Sequence, residues 1–323
     1  MARVLGVLVA ALMAWGSAAQ ADEQGRWQAL ENNPSCSVWN AYPQPNDTMT
    51  WSGACVNGKA QGSGTQVWRY LEDGDWKENK YTGDLKDGKF HGRGVFEWAS
   101  GDRYEGGWKD GKEHGRGVYV WASGARYEGD YRDGWFHGRG VYVWANGDRY
   151  AGDYRDGKRH GRGVKVWANG DRYEGEWKDW NEHGRGVFVG ADGDSYDGEW
   201  KDGTWHGRGV YVWASGDRYE GDWKDGKEHG RGVLVFASGR RYDGDWKDGK
   251  PHGRGVLVYE NGNRYEGGWE DGKEHGRGIL VYENGNELRG EFAGHRFTGR
   301  CFEKSSGMWF KCYRDGNALK RVK

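Results

Sequence analysis

Nine histidines are the first residues in this chain that could do chemistry. His-Gly-Arg-Gly occurs at His91, His114, His137, His160, His183, His206, His229, His252 and His275, each 23 residues from the last. Imidazoles in such a series suggest metal ligation or acid–base work, and the spacing tests both. A zinc ion needs three or four ligands at about 2.0–2.3 Å. Equivalent positions of successive hairpins in a sheet lie roughly 10 Å apart, two strand spacings of about 4.8 Å, so these rings cannot converge on one ion. The carboxylates of Asp102-Arg103-Tyr104-Glu105-Gly106 and its copies form a ladder with no tuned acid–base pair. Gly-x-Gly after each His opens no helix and so is not a phosphate cradle. No Gly-x-Ser-x-Gly is present. Each His is expected to close its own loop by a hydrogen bond to backbone or to the turn Asp. No catalytic residue, metal or cofactor is expected, and the chain reads as a non-enzyme.

The elements that carry these residues follow from one repeat unit. It runs Tyr104-x-Gly106-x-Trp108-x-Asp110-Gly111-x-x-His114-Gly115-x-Gly117-Val118-x-x-Trp121-x-x-Gly124. Residues 103–109 alternate large with small or charged, and 117–121 are rich in Val, Tyr and Trp, so both suit short strands. Asp110-Gly111 and Ser123-Gly124 are turn signals, because Gly accepts a positive φ. Each repeat is therefore a β-hairpin. Alternation puts Tyr104 and Trp108 on one face with Gly106 between them, and sets Tyr119 and Trp121 opposite to Val118 and Val120. Gly106 and Gly117 are expected to seat rings from adjacent strands. Arg103, Glu105 and Lys109 are expected to screen the other face by pairing across strands. A lone hairpin is marginal in water, so neighbours must stack. The predicted fold is all-β, an elongated single-sheet solenoid of antiparallel hairpins on the order of 100 Å long, from the strand spacing.

The unit Tyr-x-Gly-x-Trp-x-x-Gly-x-x-His-Gly-x-Gly resembles the membrane occupation and recognition nexus (MORN) repeat. The resemblance covers nine regular copies over 81–287, with degenerate copies from Trp51 and Leu288. It implies β-hairpin arrays used for scaffolding, protein association and lipid contact. Composition agrees with an array more than with a globule. Hydrophobic residues are 35% and charged residues 30%, too polar for one buried core, yet the chain holds 21 Trp and 19 Tyr. A formal charge of −1 gives no electrostatic footprint for nucleic acid.

The ends depart from the repeat. Residues 1–21 read as a cleaved signal peptide, with Arg3, an apolar core over Val4–Trp15 and a small-residue site at Ala19-Gln20-Ala21. No cysteine follows that core, so no lipid anchor is expected, and the predicted location is periplasmic or secreted. A cap segment is expected over 22–50, a degenerate first repeat with an insertion near Leu71–Lys77 over 51–80, and a degenerate last repeat with a C-terminal cap over 288–323. All four cysteines fall in these ends, where capping repeats diverge. Four cysteines allow three pairings. A disulfide needs Cα atoms within about 7 Å, and the ends of a long array cannot meet. The expected pairs are Cys36–Cys55 and Cys301–Cys312, in an oxidising compartment.

Departures from consensus point to a partner. The residues before His are normally Asp-Gly-Lys-Glu, but Phe90, Trp135, Phe136, Trp180 and Trp205 replace polar or small residues there. Lys165 and Gly190 meanwhile take Tyr and Trp positions of the second strand. Read as loop residues, the five aromatics would form an exposed patch on one edge, of the kind that marks an interface. The bland alternative folds each ring back on its own hairpin. A protein partner is the leading reading. Aromatic rows stacking on cell-wall glycan, and association with membrane lipid, stand behind it. The oligomeric state is left open.

Overall fold

The computed structural model describes residues 25–294, 296–315 and 318–322. The expected signal peptide lies outside the described residues. The chain divides into two compact units, Met1–Arg159 and His160–Lys323, and each is built of antiparallel β-hairpins with no helix among the described residues.

One hairpin explains both units. Strand Arg103–Lys109 turns back into Lys112–Val120 through Asp110 and Gly111, with φ of 52° and 87°. Two positive φ values in a two-residue loop make a type I′ turn, whose twist matches that of the strands it joins. The register runs Lys109↔Lys112, Trp108↔Glu113, Gly106↔Gly117 and Tyr104↔Tyr119, with a bulge between Gly106 and Trp108. Gly64, Gly83, Gly94, Gly106, Gly117, Gly129, Gly140 and Gly152 are paired in sequence across the first unit.

That glycine row exists because a ring lies on it. Tyr104 is 0% exposed. A Cβ on Gly117 would stand 2.4 Å from its hydroxyl and 2.6 Å from its ring carbons. The seat is thus made by Gly106 on the tyrosine's own strand and Gly117 on the next. The Tyr104 hydroxyl donates to the bulge carbonyl of Gly107 at 2.9 Å, which satisfies both buried groups. Trp108 meets Tyr104 edge-on at 5.0 Å and donates its indole N–H to Gly94 O of the preceding hairpin at 3.3 Å. Edge-to-face ring pairs contribute on the order of 1 kcal/mol beyond the area they bury. A layer of rings thus replaces the interior of a globule, and a polar chain can fold.

Other links tie hairpin to hairpin. The Asp102 carboxylate accepts from Ala122 N in the next inter-repeat loop at 2.8 Å. In the second unit Asp171, Asp194 and Asp217 do the same for Ala191, Ala214 and Ala237. The charged residues pair differently from expectation. Arg103 bonds Glu105 along its own strand at 2.6 Å, as Arg126 does Glu128, because residues two apart share a face.

The N-terminal segment builds onto the first unit. Arg26–Leu30 and Asn33–Asn40 form a hairpin, and Trp39 N donates to Gly88 O, at the turn of the hairpin formed by Asp75–Lys86 and Lys89–Glu97. The insertion near Leu71–Lys77 lengthens strands Lys59–Glu72 and Asp75–Lys86 to 14 and 12 residues. The two expected cysteine pairs lie at disulfide geometry, Cys36 with Cys55 and Cys301 with Cys312, each at Cα–Cα 5.9 Å.

Candidate interaction surface

His275 faces a carboxylate of its own hairpin, Glu270, at 3.2 Å, but other histidines reach past their own loops. His91, His114 and His137 point Nδ1 at the turn carboxylates of the following hairpin, Asp110, Asp133 and Asp156, at 3.7, 3.4 and 3.6 Å. In the second unit His183 faces Asp202 at 3.5 Å. These separations exceed ordinary hydrogen-bond length, and Nδ1 of His91, His137, His206 and His229 is buried without a hydrogen-bond partner. The correction has a geometric cause. With a two-residue turn, the hairpin's Asp and His occupy different rungs, and the nearest carboxylate belongs to the next repeat. Among the described residues no three His, Cys, Asp or Glu side chains come together to hold a metal.

The five substituted aromatics do not share an edge, and the reason is again the two-residue turn. The residue before His is a strand residue paired opposite the Trp position: Phe90↔Leu85, Phe136↔Tyr131, Trp205↔Trp200. It therefore faces the aromatic layer. Phe90 stacks on Tyr81 at 4.0 Å, Phe136 on Tyr127 at 3.6 Å, and Trp205 on Tyr196 at 4.9 Å. Phe136 is only 3% exposed. Pro251 fills the same paired position opposite Trp246. Trp135 pairs with Arg132, which sets it on the opposite face, with its ring against the turn at Gly157. Trp180 occupies the second turn position itself, with φ of 80° and 43% exposure. The exposed loop patch is replaced by rings that cap the buried tyrosines.

The second strand carries the surface that the substituted residues do not. In the first unit Phe96, Trp98, Tyr119, Trp121, Tyr142 and Trp144 make a ladder, with successive ring centres 4.4, 5.2, 4.4, 5.2 and 4.5 Å apart. Phe96 is buried and the rest are half-buried. In the second unit this ladder is interrupted. Lys165 lays its ammonium 4.4 Å from the Trp167 ring, Gly190 brings no ring, and Tyr211–Trp213 form an aromatic pair at 4.7 Å. Leu234, Leu257 and Leu280 then take the tyrosine position. The two units differ in what their second strands offer.

At the N-terminal end of the first unit this face deepens into a groove of about 190 Å³. Its walls include Trp39, Trp68, Phe90, Trp98 and Trp108, and Glu113 reaches into it. Glu113 stands where Phe90 and Phe136 stand in neighbouring repeats. As a residue it is half-buried, but the surrounding rings desolvate its carboxyl and push it up to about 7. Burial, with the Glu113 charge next, raises the Tyr104 hydroxyl well above the ordinary phenol range.

The family model for the MORN repeat matches residues 53–69 and then nine consecutive segments, 81–103, 104–126, 127–149, 150–172, 173–195, 196–218, 219–240, 242–264 and 265–287. The chain belongs to the MORN repeat family. Members of this family are repeat scaffolds that generally serve in protein or membrane interactions. No curated protein matches it. Among solved structures it is similar to the TCP domain of SAS-4 (dCPAP) from Drosophila melanogaster, in complex with a proline-rich motif of Ana2 (dSTIL). That match has 11% identity and a TM-score of 0.31, over 54% of this chain and 88% of that one. A streptogramin B lyase structure matches with 11% identity and a TM-score of 0.15, over 82% of this chain and 94% of that one. At these scores neither likeness bears on function.

Proposed function

We propose that this MORN-repeat chain works outside the cytosol as a non-catalytic scaffold, and that it holds a protein partner along the aromatic face of its repeats. The ladder from Phe96 to Trp144 carries this reading. Five half-buried rings in contact offer a continuous apolar strip, and large aromatic side chains dominate binding energy at protein interfaces. The Asp102 and Glu113 carboxyls beside that strip favour a polypeptide over an anionic lipid surface. Two cysteine pairs at disulfide geometry suit an oxidising compartment, in agreement with the leader-like residues 1–21.

The test offers the full chain periplasmic extract, purified peptidoglycan and anionic liposomes in parallel, beside a variant carrying Trp98→Ser, Trp121→Ser and Trp144→Ser. The expected result is one or more proteins retained by the parent and released by the variant, with circular dichroism unchanged. Retention on peptidoglycan alone would favour sugar stacking on the ladder. Binding to liposomes alone, lost at moderate salt, would overturn the proposal.

A further inference from the structure

Outside the hairpin that carries Trp180, Val187 and Val189, the exposed large apolar side chains lie near the two chain ends. Two of these groups carry opposite charge. The first is the tip of the lengthened hairpin. Strands Lys59–Glu72 and Asp75–Lys86 stay paired out to Glu72↔Asp75, while the strands on either side reach only to Arg69 and Lys80. Leu71 and Trp76 pair across this tip, and Trp76 is 63% exposed. Residues 70–78 hold Glu72, Asp73, Asp75 and Glu78 against Lys77 alone. Arg69 is taken by Glu78 at 3.0 Å, and Glu72, Asp73 and Asp75 enter no ion pair among the described residues. Glu72 stands directly opposite Asp75, a like-charge pairing that weakens a hairpin until a cation meets it.

The second group is a face of the last strands. Arg296–Glu303 and Met308–Asp315 pair Phe302↔Trp309, Arg300↔Lys311 and Thr298↔Tyr313, and directly opposed residues share a face. Phe302, Trp309 and Tyr313 therefore lie together with Arg300 and Lys311, and Lys320 joins them opposite Tyr313. Trp309 and Tyr313 are exposed, and the Arg289 and Arg300 guanidiniums lie 5.3 and 5.5 Å from the Trp309 ring centre. The carboxylates of this face are already paired, Glu287 with Arg289 at 2.7 Å and Glu291 with Arg277 at 3.3 Å. Arg300, Lys311 and Lys320 enter no ion pair among the described residues. Neither group belongs to the regular repeat, whose matches leave out 70–80 and end at 287. The stacking of repeats therefore accounts for neither.

We propose that the Leu71–Trp76 tip of one copy docks on the Trp309 face of another, so that copies of this chain join head to tail. The tip offers apolar side chains rimmed by unpaired carboxylates, and the face offers rings rimmed by unpaired cations. Trp76 supplies the anchor, as buried tryptophans do at protein interfaces. Glu72, Asp73 and Asp75 meet Arg300, Lys311 and Lys320, and opposite charge across a contact fixes its register and speeds encounter. A partner of another kind answers only one of the two surfaces, whereas a second copy answers both with one contact. Because its two sides differ, the contact is heterologous, and it either closes into a ring or runs on as a filament. It is independent of what the aromatic ladder holds.

Sedimentation velocity of the full chain tests this, run over a range of concentrations at low and moderate salt beside Trp76→Ser and Trp309→Ser. The parent's mean mass should rise with concentration and fall back as salt screens the charges. Either variant alone should stay monomeric over that range, its association weakened about tenfold or more. An equal mixture of the two should form a dimer and nothing larger, because each copy brings the surface the other lacks. Circular dichroism should match the parent, since both rings are exposed. Asp75→Lys and Lys311→Glu, which leave the rings in place, should each reproduce the loss of association. A parent that is monomeric at every concentration would overturn the inference. So would association that survives Trp76→Ser, or a mixture that fails to pair. Capture on anionic vesicles that is lost in Lys311→Glu, with no self-association in solution, would assign the Trp309 face to lipid instead. None of these results bears on a partner held along the ladder.

Discussion

Replacing Glu113 by Gln removes a titrating charge from beneath the rings of the first unit and alters the side chain very little in shape. The consequence for stability follows from the raised carboxyl. A rise from the ordinary 4.5 to about 7 corresponds to about 3 kcal/mol at 1.36 kcal/mol per pH unit. The sign is fixed by which state holds the proton. Between pH 4.5 and 7 the folded chain keeps a proton that the unfolded chain has lost, so stability falls as pH rises. The contribution is fully present below about 4.5 and is lost as the pH passes through 7. Repeat arrays do not unfold as one unit, so the measurement should be local: hydrogen exchange in urea, read on peptides spanning residues 103–135, for parent and variant at pH values from 5 to 8.5. Other titrating groups are common to both proteins and largely cancel in the difference. The two should differ by less than about 1 kcal/mol near pH 5, and Glu113→Gln should be more stable by up to about 3 kcal/mol at pH 8.5. A difference that does not change with pH would refute the argument that this carboxyl is desolvated in the folded chain.

Two further substitutions test the backbone logic. Trp180 holds φ at 80° in a turn position that equivalent hairpins give to Gly, and a side chain in that region costs roughly 1–2 kcal/mol. Trp180→Gly should therefore stabilise the second unit by about 1 kcal/mol, and a melting midpoint that stays put or falls would contradict the strain. Gly117→Ala should do the opposite. Its Cβ would lie 2.4 Å from the Tyr104 hydroxyl, and such overpacking costs about 1–3 kcal/mol; chemical denaturation showing no loss would mean that the tyrosine can leave its seat.

Much of this protein was legible without coordinates. The 23-residue beat, the Asp-Gly turns and the alternation of Tyr104, Gly106 and Trp108 dictate a hairpin, because strand and turn preferences act over a few residues. The glycine seats were legible too, since a large ring next to Gly at strand spacing has one efficient way to pack. The cysteine pairs followed from their confinement to the two ends of an array.

What the tertiary structure alone decided is direction and partnership between rungs. Sequence placed Phe90, Phe136 and Trp205 in a loop, but the two-residue turn makes each a paired strand residue that faces the rings. One position of register separates an exposed patch from a buried cap. The histidines repeat in the sequence with their carboxylates, yet only the stacking shows that His91, His114, His137 and His183 face the turn of the next hairpin. The groove at Glu113 was invisible for a further reason. Trp39, Trp68 and Trp98 come from the cap, the lengthened first hairpin and the second strand of a regular repeat, and no local pattern in the chain records that they meet.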